Sequence, residues 1–264
     1  MRSLLLLSND DGYGSPGIRA LAAALATWAD VVVVAPETEQ SASSHALTLH
    51  RPLRWRRVED GVFAVDGTPA DCVYCALHGE GRFLARKPDL VCSGINRGLN
   101  LGQDAFYSGT VAAAREGALR GIPALASSAH PKADLARVAE LTSKLARGLL
   151  DAVARTEKQD PGPLPSRTTP LVNLNVPQTW TGEVRRTRLG ARLYEEILDV
   201  RKDPRGREYI WLGGPGVRHE KDPGSDTDAY DEGAASLTSL VLDLTNDAAA
   251  PLADRLIAGL SLSR

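Results

Sequence analysis

Near its N-terminus the chain reads Leu4-Leu5-Leu6-Leu7-Ser8-Asn9-Asp10-Asp11-Gly12-Tyr13-Gly14-Ser15-Pro16-Gly17. The leucines predict a buried strand, and the amphipathic segment from Ile18 to Trp28 predicts a helix after a glycine-rich turn. A second unbroken apolar run, from Asp30 to Pro36, is typical of a parallel strand that is buried on both faces. The segment therefore opens a βαβ unit of an α/β protein, and its loop lies at the sheet edge where such folds bind ligands.

Two adjacent carboxylates, Asp10 and Asp11, follow the first strand. At the edge of a sheet they repel each other and lose water, and a hard divalent cation such as Mg²⁺ or Mn²⁺ offsets both costs. The alternative is an Asx turn that caps the next helix, because Asn and Asp favour such positions. One acid would suit a cap, whereas two acids beside Asn9 and several glycines favour a metal site.

Length and charge narrow the possible functions. With 264 residues the chain can hold one large α/β domain or a domain with an appendage. A net charge of -2 disfavours a broad nucleic-acid or membrane surface, so we expect neither a stable nucleic-acid complex nor a membrane segment. The apolar N-terminal run lacks the flanks of an export signal. Cys72, Cys75 and Cys92 are interpreted as structural thiols, which suits a cytoplasmic protein.

The rest of the pattern extends the parallel sheet and then changes. Strands are expected at 88–93, 122–128 and 171–177, a hairpin at 46–54 and 61–65, and a long helix at 133–154. Residues 160–169 are Pro-rich and predict a loop or linker. Beyond residue 182 the pattern alternates and predicts antiparallel strands at 183–189, 193–201 and 208–212. A mobile loop over 213–228, a strand over 235–244 and a helix over 251–260 complete this expectation.

Polar segments follow the other strands at the same edge of the sheet. The loop after the second strand carries Ser41 and Ser43, and a segment rich in glycine and asparagine occupies residues 94–102. Such a segment lets backbone amides approach a ligand closely, or else it is a flexible surface loop. Residues 108–110, Ser-Gly-Thr, open an Ala-rich helix whose N-terminus can hold phosphate. The same hydroxyl groups can cap the helix, and the two roles are compatible.

Taken together, these segments resemble the SurE (survival protein E) nucleotidases. The matching segments span nearly the whole chain and are residues 8–12, 35–36, 40–43, 93–98, 100, 102, 107–111, 173–177, 203–207 and 227–228. The resemblance implies a Rossmann-like core with a mostly parallel sheet, here residues 1–182. It also implies a projecting antiparallel β-hairpin and a C-terminal strand and helix exchanged between subunits, here residues 183–264, structurally continuous with the core. The expected assembly is a homodimer or homotetramer.

The implied activity is that of a 5′-nucleotidase, a metal-dependent phosphomonoesterase that acts on nucleoside 5′- and 3′-monophosphates and sometimes on short polyphosphate. The family's divalent cation, expected to be Mg²⁺ or Mn²⁺, is held at positions that match Asp10, Asp11, Ser41 and Asn96. Its phosphate pocket matches Asn9, Ser43, Asn100, Ser108, Gly109 and Thr110. Asp10 and Asp11 are the catalytic candidates, and either could steer the attacking water.

Two other functions remain open at this stage. A haloacid-dehalogenase-type phosphatase would phosphorylate an Asp after the first strand, but it needs a second Asp two residues later, where Gly12 stands. A nucleotide-sensing module would bind metal and phosphate without turnover, and release of phosphate would distinguish it. His45 could touch a substrate, but we interpret it as a surface residue. The group Arg185, Arg186, Arg188 and Arg192 could meet a polyanion, but we interpret it as a solvated or interface face rather than a nucleic-acid surface.

Overall fold

The computed structural model describes residues 2–159, 168–194, 198–212, 216–258 and 260. Most of the loop predicted at 160–169 therefore lies outside the described residues. The strands are β1 (Leu4–Ser8), β2 (Asp30–Pro36), β3 (Trp55–Glu59), β4 (Val62–Val65), β5 (Leu90–Arg97), β6 (Ala124–Ala129), β7 (Leu171–Val176), β8 (Val184–Thr187), β9 (Arg192–Tyr194), β10 (Leu198–Lys202), β11 (Glu208–Leu212), β12 (Val217–His219) and β13 (Ala235–Ser239). The helices are α1 (Pro16–Ala26), α2 (Pro69–His78), α3 (Asp104–Tyr107), α4 (Gly109–Leu119), α5 (Leu135–Gln159), α6 (Asp226–Asp231) and α7 (Ala250–Ala258), and a 3-10 helix covers Asp247–Ala249.

One nine-stranded sheet organises the described residues, in the order β3-β4-β2-β1-β5-β6-β7-β13-β8. The strands from β4 to β7 in this order are parallel, whereas β3 and β13 run antiparallel to β4 and β7. The predicted mostly parallel α/β fold is thus confirmed. None of the described helices is both long enough and apolar enough to span a bilayer.

The leucines of β1 divide between the two faces of this sheet. Leu4 and Leu6 belong to the core on the side of α2 and α4, and Leu5 and Leu7 belong to the core on the side of α1 and α5. Successive side chains of a strand point to opposite faces, so only an unbroken apolar run suits a strand that is covered on both sides. Each fully buried leucine contributes about 1.5–3 kcal/mol of apolar burial.

Helix α1 begins directly beside the ligand-binding edge. Ser15 caps it by accepting a hydrogen bond from the backbone N–H of Ile18, and Pro16 occupies its first turn. A Cβ atom on Gly17 would lie 2.0 Å from the carbonyl oxygen of Ile95, so only glycine allows the helix to approach β5 this closely. The start of α1 is therefore packed onto the end of β5.

The predicted hairpin is correct at its second arm and wrong at its first. Residues 46–54 form no strand, and the first arm is β3, paired with β4. Thr48 instead donates from its backbone and its hydroxyl to the Asp71 carboxylate, at 2.9 and 2.6 Å. The ring of Trp55 packs against two phenylalanine rings, with its centroid 6.0 Å from that of Phe63 and 4.9 Å from that of Phe83. Hydrogen bonds to Asp71 thus hold residues 46–54 in place, and aromatic packing of Trp55 positions β3.

Strand β5 is longer than predicted and continues through Gly94 and Asn96 to Arg97. Its pairing with β6 is interrupted between Ser93 and Asn96. At the interruption Gly94 has φ +130°, and a Cβ atom there would lie 2.2 Å from the carbonyl oxygen of Ser127. A glycine is required at this point, and the segment that we predicted as a loop begins as part of the sheet.

The region after residue 182 differs from the prediction in several places. The strand predicted over 193–201 is two strands, since β9 pairs with β12 and β10 pairs with β11, while residues 195–197 lie outside the described residues. The segment predicted as a mobile loop over 213–228 contains β12 and the start of α6. The last strand ends at Ser239 rather than at residue 244. Strand β13 pairs with β7 and β8, and exchange of the C-terminal strand and helix between subunits stays a prediction.

Candidate functional site

A cleft of about 1530 Å³ opens at the carboxyl edge of the sheet. Its lining includes the loops after β1 and β2, the end of β5 and the cap residue Ser108 of α4. The predicted site residues in this lining are Asp10, Asp11, Ser41, Asn96, Asn100 and Ser108. The other predicted site residues lie outside this lining and are Asn9, Ser43, Gly109 and Thr110. The topology therefore brings all four expected cation ligands to one cavity.

The Asp10 carboxylate is held by the first turn of α4. The hydroxyl of Thr110 donates to Asp10 Oδ1, and the backbone N–H of Thr110 donates to Oδ2 at 3.2 Å. Only 6% of Asp10 is exposed. Burial raises the pKa of Asp10 to about 6, opposed by the Thr110 hydrogen bond and reinforced by the charge of Asp11.

The Asp11 carboxylate is less buried and faces the cleft more openly. Its Oδ2 accepts a hydrogen bond of 3.0 Å from the backbone N–H of Arg97, at the end of β5. Burial raises the pKa of Asp11, while the Arg97 hydrogen bond partly opposes the rise. The two carboxylates are thus anchored from different sides, Asp10 by α4 and Asp11 by β5.

This donor set suits a hard divalent cation. The described residues contain no group of three or more His, Cys, Asp and Glu side chains that could hold a metal ion. Any cation here must therefore bind to two carboxylates together with neutral oxygen atoms, which are the ligands that Mg²⁺ and Mn²⁺ prefer. Asn96 donates from Nδ2 to the carbonyl oxygen of Gly98 at 3.0 Å. Its Oδ1, which accepts no hydrogen bond from the described residues, is the atom left to act as a ligand.

The loop after β2 brings two serines to this edge and is fastened at several points. Its Gln40 N–H donates to the Asp10 carbonyl oxygen at 2.8 Å, and its Ser44 N–H donates to the Tyr107 carbonyl oxygen at 3.0 Å. Ser41 is exposed, and its hydroxyl donates to Glu39 at 2.7 Å. The Ser43 hydroxyl oxygen is buried and has no hydrogen-bond partner among the described residues. A phosphate oxygen would supply such a partner.

The N-terminus of α4 lies against both Asp10 and Ser43. A Cβ atom on Gly109 would lie 2.9 Å from Asp10 Cβ and 2.9 Å from Ser43 Oγ. Ser108 caps the helix by accepting a 3.0 Å hydrogen bond from the N–H of Val111. The close approach therefore needs glycine, and the positive end of the helix is directed to the place where a phosphate is expected.

The Asn100 backbone is held by side chains of β7. Its N–H donates to Asn175 Oδ1 at 2.7 Å, while its carbonyl oxygen accepts from Asn173 Nδ2 at 2.9 Å and from Asn175 Nδ2 at 3.2 Å. The Asn100 side chain donates from Nδ2 to Ser128 Oγ at 2.7 Å. The side-chain amide of Asn175 thus bonds both the backbone N–H and the carbonyl oxygen of Asn100, as a neighbouring strand would, and fixes Asn100 at the cleft.

Asn9 is entirely buried and braces the turn that follows β1. Its Nδ2 donates to the Gly12 carbonyl oxygen and to Ser15 Oγ, both at 2.9 Å, and its Oδ1 is buried without a partner among the described residues. The two amide hydrogens that we expected to orient phosphate are therefore engaged within the turn. A role of Asn9 in binding phosphate stays a prediction.

Sequence reasoning missed a buried charged group behind the site. Glu116 of α4 is almost fully buried and lies 2.8 Å from His45 Nε2 and 2.8 Å from Arg120. His45, which we interpreted as a surface residue, is half-buried and paired with this acid. Sequence alone gave no signal, because Glu116 and His45 are 71 positions apart.

The arginines of residues 185–192 are mostly paired with nearby acids. Arg185 contacts Glu183 and Glu232, Arg188 contacts Asp222, and Arg192 contacts Asp104. These arginines are exposed or half-buried, which suits the solvated face that we predicted. Arg192 differs, because its partner Asp104 lies on α3 and lines the cleft.

Fold and site define an α/β protein with a carboxylate-bearing cleft at the carboxyl edge of its parallel sheet. Residues 5–196 match the family described as Survival protein SurE. The 5′-nucleotidase SurE of Sorangium cellulosum (strain So ce56) is 58% identical over 244 residues, which cover 92% of each chain. The 5′-nucleotidase SurE of Methylococcus capsulatus is 46% identical, covering 91% of this chain and 92% of that protein.

A solved structure agrees with these sequence matches. The crystal structure of the SurE protein from Aquifex aeolicus superposes with a TM-score of 0.78 at 36% identity, covering 96% of this chain and 99% of that chain. The chain therefore belongs to the SurE family.

Proposed function

We propose that this protein is a divalent-metal-dependent 5′-nucleotidase that hydrolyses nucleoside 5′- and 3′-monophosphates to nucleoside and phosphate. The observation that carries the proposal is the contact of Asp10 with the first turn of α4, which unites a carboxylate pair with a phosphate-binding helix end. The extensive likeness to proteins named 5′-nucleotidase SurE supports the same activity. Short polyphosphate is a further substrate that the size of the cleft allows.

The cation would be Mg²⁺ or Mn²⁺, held by Asp10, Asp11, Ser41 and Asn96. When bound, such an ion polarises phosphoryl oxygen atoms and lowers the pKa of coordinated water. Ser41 can serve as a ligand while its hydroxyl donates to Glu39, because the hydroxyl oxygen keeps its lone pairs for the cation. These four residues supply only oxygen atoms and leave room for water and substrate on an octahedral ion.

The chain itself supplies the binding and orientation of the ester. The backbone N–H of Gly109 at the positive end of α4, with the hydroxyls of Ser43 and Ser108, stabilises the negative charge of the phosphoryl group, while the N–H groups of Thr110 and Val111 bond to Asp10 and Ser108. Asn100, fixed by β7, orients a phosphoryl oxygen from the opposite side. Asp11 is the more accessible carboxylate, and we assign to it the hydrogen bond that directs the attacking water. Thr110 keeps Asp10 in place through both of its donors.

The assembly that we propose is a homodimer or homotetramer. Apolar side chains are exposed along β10 and β11, at Leu198, Val200, Ile210 and Trp211, and along α7, at Leu252, Leu256 and Ile257. Exposed apolar groups of this extent favour burial against a second copy of the chain. The division into a core of residues 1–182 and an oligomerisation element of residues 183–264 belongs to the same proposal. A cytoplasmic location is proposed from the three free cysteines.

Phosphate release tests the function directly. The purified protein is incubated with a panel of nucleoside monophosphates after treatment with a chelator, and then with Mg²⁺ or Mn²⁺ restored. Asp10→Asn removes one charge of the pair, and Asp60→Asn, at an exposed turn of the hairpin, is the matched control. We expect turnover that needs metal, survives in Asp60→Asn and falls at least a hundredfold in Asp10→Asn, as loss of a metal ligand does.

The other functions give different results in the same assay. Metal and nucleotide binding without any release of phosphate would indicate the sensing module. A phosphorylated aspartate trapped during turnover would indicate the haloacid-dehalogenase type of reaction. Full metal-dependent turnover in Asp10→Asn would contradict the proposed site.

A further inference from the structure

The cleft extends well beyond the phosphate-binding end of α4. Its volume of about 1530 Å³ exceeds the ~300–1,000 Å³ of typical small-molecule pockets. One part of its wall is carried by α3 and β9 and consists of Gln103, Asp104, Tyr107 and Tyr194. This wall lies next to Ser108, so the part of a substrate that extends from its phosphate along α3 meets these residues.

The backbone of Tyr107 is held by a hydrogen bond, whereas its ring is exposed to the cleft. It directly precedes the helix cap Ser108, and its carbonyl oxygen accepts the N–H of Ser44 at 3.0 Å. Its side chain is 63% exposed and makes no hydrogen bond or ring contact with the part of the chain that the structure describes. An aromatic ring is thus presented to the cleft within one residue of the expected phosphate site.

Tyr194 lies in the same wall, and its ring is held in place. Its hydroxyl donates to the Asp104 carboxylate, and Arg192 lies over its ring at 5.4 Å from the centroid. Asp104 and Tyr107 are three residues apart on α3, so their side chains share one face of that helix. The helix face that holds Tyr194 therefore also carries Tyr107, and both rings line the cleft.

The polar groups of this wall are already engaged. Asp104 pairs with Arg192 and accepts the Tyr194 hydroxyl, so its charge is neutralised. Gln103 accepts from the N–H of Arg192 at 2.9 Å and donates to the Arg192 carbonyl oxygen, so both ends of its amide are used. The wall therefore offers aromatic surface to a ligand and few free hydrogen-bonding groups.

We propose that Tyr107 and Tyr194 form a stacking surface for the nucleobase, so that the site recognises the face of an aromatic base and reads little of its edge. This inference rests on the proposed nucleotidase function and names the part of the substrate that the wall binds. Stacking on an aromatic side chain tolerates any base, because every base has a π face. The protein consequently distinguishes an ester with a base from one without, and purines from pyrimidines only weakly.

Three substrates and three variants test the stacking surface. The substrates are adenosine 5′-monophosphate, uridine 5′-monophosphate and ribose 5-phosphate, which lacks a base. The variants are Tyr107→Ala, Tyr107→Phe and Phe106→Ala. Phe106 is the matched control, because it is a neighbouring exposed aromatic of α3 that does not line the cleft.

We expect Tyr107→Ala to lower kcat/KM for both nucleotides about tenfold, mainly by raising KM. The kcat/KM for ribose 5-phosphate should change less than about twofold, because this substrate has no base to stack. Tyr107→Phe retains the ring and should restore the preference for nucleotides, and Phe106→Ala should keep it. An equal loss for all three substrates would show a structural role and overturn the proposal. A loss in Tyr107→Phe as large as in Tyr107→Ala would assign recognition to the hydroxyl and would also overturn it.

Binding of adenosine, which has no phosphate ester, separates this inference from the proposed function. Calorimetry on the metal-loaded protein should give a Kd for adenosine about tenfold weaker in Tyr107→Ala than in the wild type. If the wild type hydrolyses none of the three esters, the proposed function fails, yet this difference in Kd still supports the stacking surface. An equal Kd in both proteins would overturn the stacking surface whatever the turnover.

Discussion

Asp10 depends on a residue 100 positions away. Thr110 donates its hydroxyl and its backbone N–H to the two oxygen atoms of this carboxylate, which is almost fully buried. Hydrogen bonds of this kind orient a ligand and set its basicity, and their loss costs about 10–100-fold in metal affinity or activity. The hydroxyl and the amide of Thr110 thus act at the site through Asp10.

Thr110→Val keeps the shape of the side chain and removes its hydroxyl group. We expect the metal concentration needed for half-maximal activity to rise about 10–100-fold, because Asp10 loses the charge-assisted hydrogen bond from the Thr110 hydroxyl. Thr110→Ser retains the hydroxyl and should stay close to the wild type. Activity measured against Mg²⁺ concentration checks this, and an unchanged metal requirement in Thr110→Val would contradict the role of the hydroxyl.

Gly109 is the point of closest approach between α4 and the site. A methyl group there would meet Asp10, Ser43 and Pro69 at 2.9–3.0 Å, which forces the loop after β2 or the helix to shift. We expect Gly109→Ala to reduce kcat/KM at least tenfold, because a 1 Å misplacement near the chemistry costs up to about a hundredfold. Steady-state kinetics on a nucleoside monophosphate measures the loss.

The matched control for this change is Gly148→Ala in α5. A Cβ atom at Gly148 meets nothing within 4 Å, so the substitution should leave activity unchanged and raise stability by up to ~1 kcal/mol through helix propensity. Equal activities of the two variants would show that space around Gly109 is not limiting.

Among the elements, the loop between β2 and β3 is the one whose shape comes from its neighbours. Residues 37–54 contain no regular structure, yet they carry Ser41 and Ser43. Thr48 is bonded to Asp71 of α2, Ser44 to the backbone of α3, and His45 to Glu116 of α4. Three separate helices thus determine where the two serines lie.

The contact of His45 with Glu116 gives this element a predictable pH dependence. Burial acts to raise the pKa of Glu116, but hydrogen bonds from His45 and Arg120 outweigh it, and the pKa lies below the usual 4.5. A carboxyl group whose pKa is lowered on folding contributes stability that is present above pH 4.5 and is lost as the pH falls through the folded pKa.

Glu116→Gln removes this contribution while it retains the size of the side chain. We expect the free energy of unfolding of the wild type to exceed that of Glu116→Gln at pH 7, and the difference to shrink at about pH 3.5 because Glu116 then takes up a proton in the unfolded chain. Urea unfolding of both proteins at the two pH values checks the sign. A difference that stays constant or grows on acidification would contradict it.

At the scale of the whole molecule, the described chain leaves apolar surface uncovered at its C-terminal end. Leu252, Leu256 and Ile257 lie on one face of α7 and are each more than half exposed. This helix packs on little besides the 3-10 turn that precedes it. A helix with an apolar face needs a partner surface to be stable, and a second copy of the chain can provide one.

Ile257→Glu should therefore weaken self-association. We expect light scattering coupled to gel filtration to show a smaller mean mass than for the wild type at the same concentration, because a charged group would have to be desolvated in the interface. Asp254→Lys changes a charge on the face of α7 away from Leu252, Leu256 and Ile257 and should keep the wild-type mass. The proposed assembly would be contradicted by a wild type that is monomeric at every concentration.

Patterns that depend on neighbouring residues were predictable from the sequence. The leucines of β1, the unbroken run of β2 and the helix cap Ser108 were predictable from local sequence, because burial on both faces and helix capping each require particular residue types at fixed spacings. The placing of Asp10, Asp11, Asn96 and Ser108 at one cleft also followed, since carboxyl ends of parallel strands meet at one edge.

Contacts between distant parts of the chain were decided only by the tertiary structure. The bonds of Thr110 to Asp10, of Asn175 to Asn100 and of Glu116 to His45 join residues 71 to 100 positions apart, and no spacing in the sequence marks them. The place of β13 between β7 and β8 arises from pairing partners elsewhere in the chain, and so does the pairing of β9 with β12 and of β10 with β11. A residue's type limits which bonds it can form, but the partner that it meets depends on how the whole chain packs.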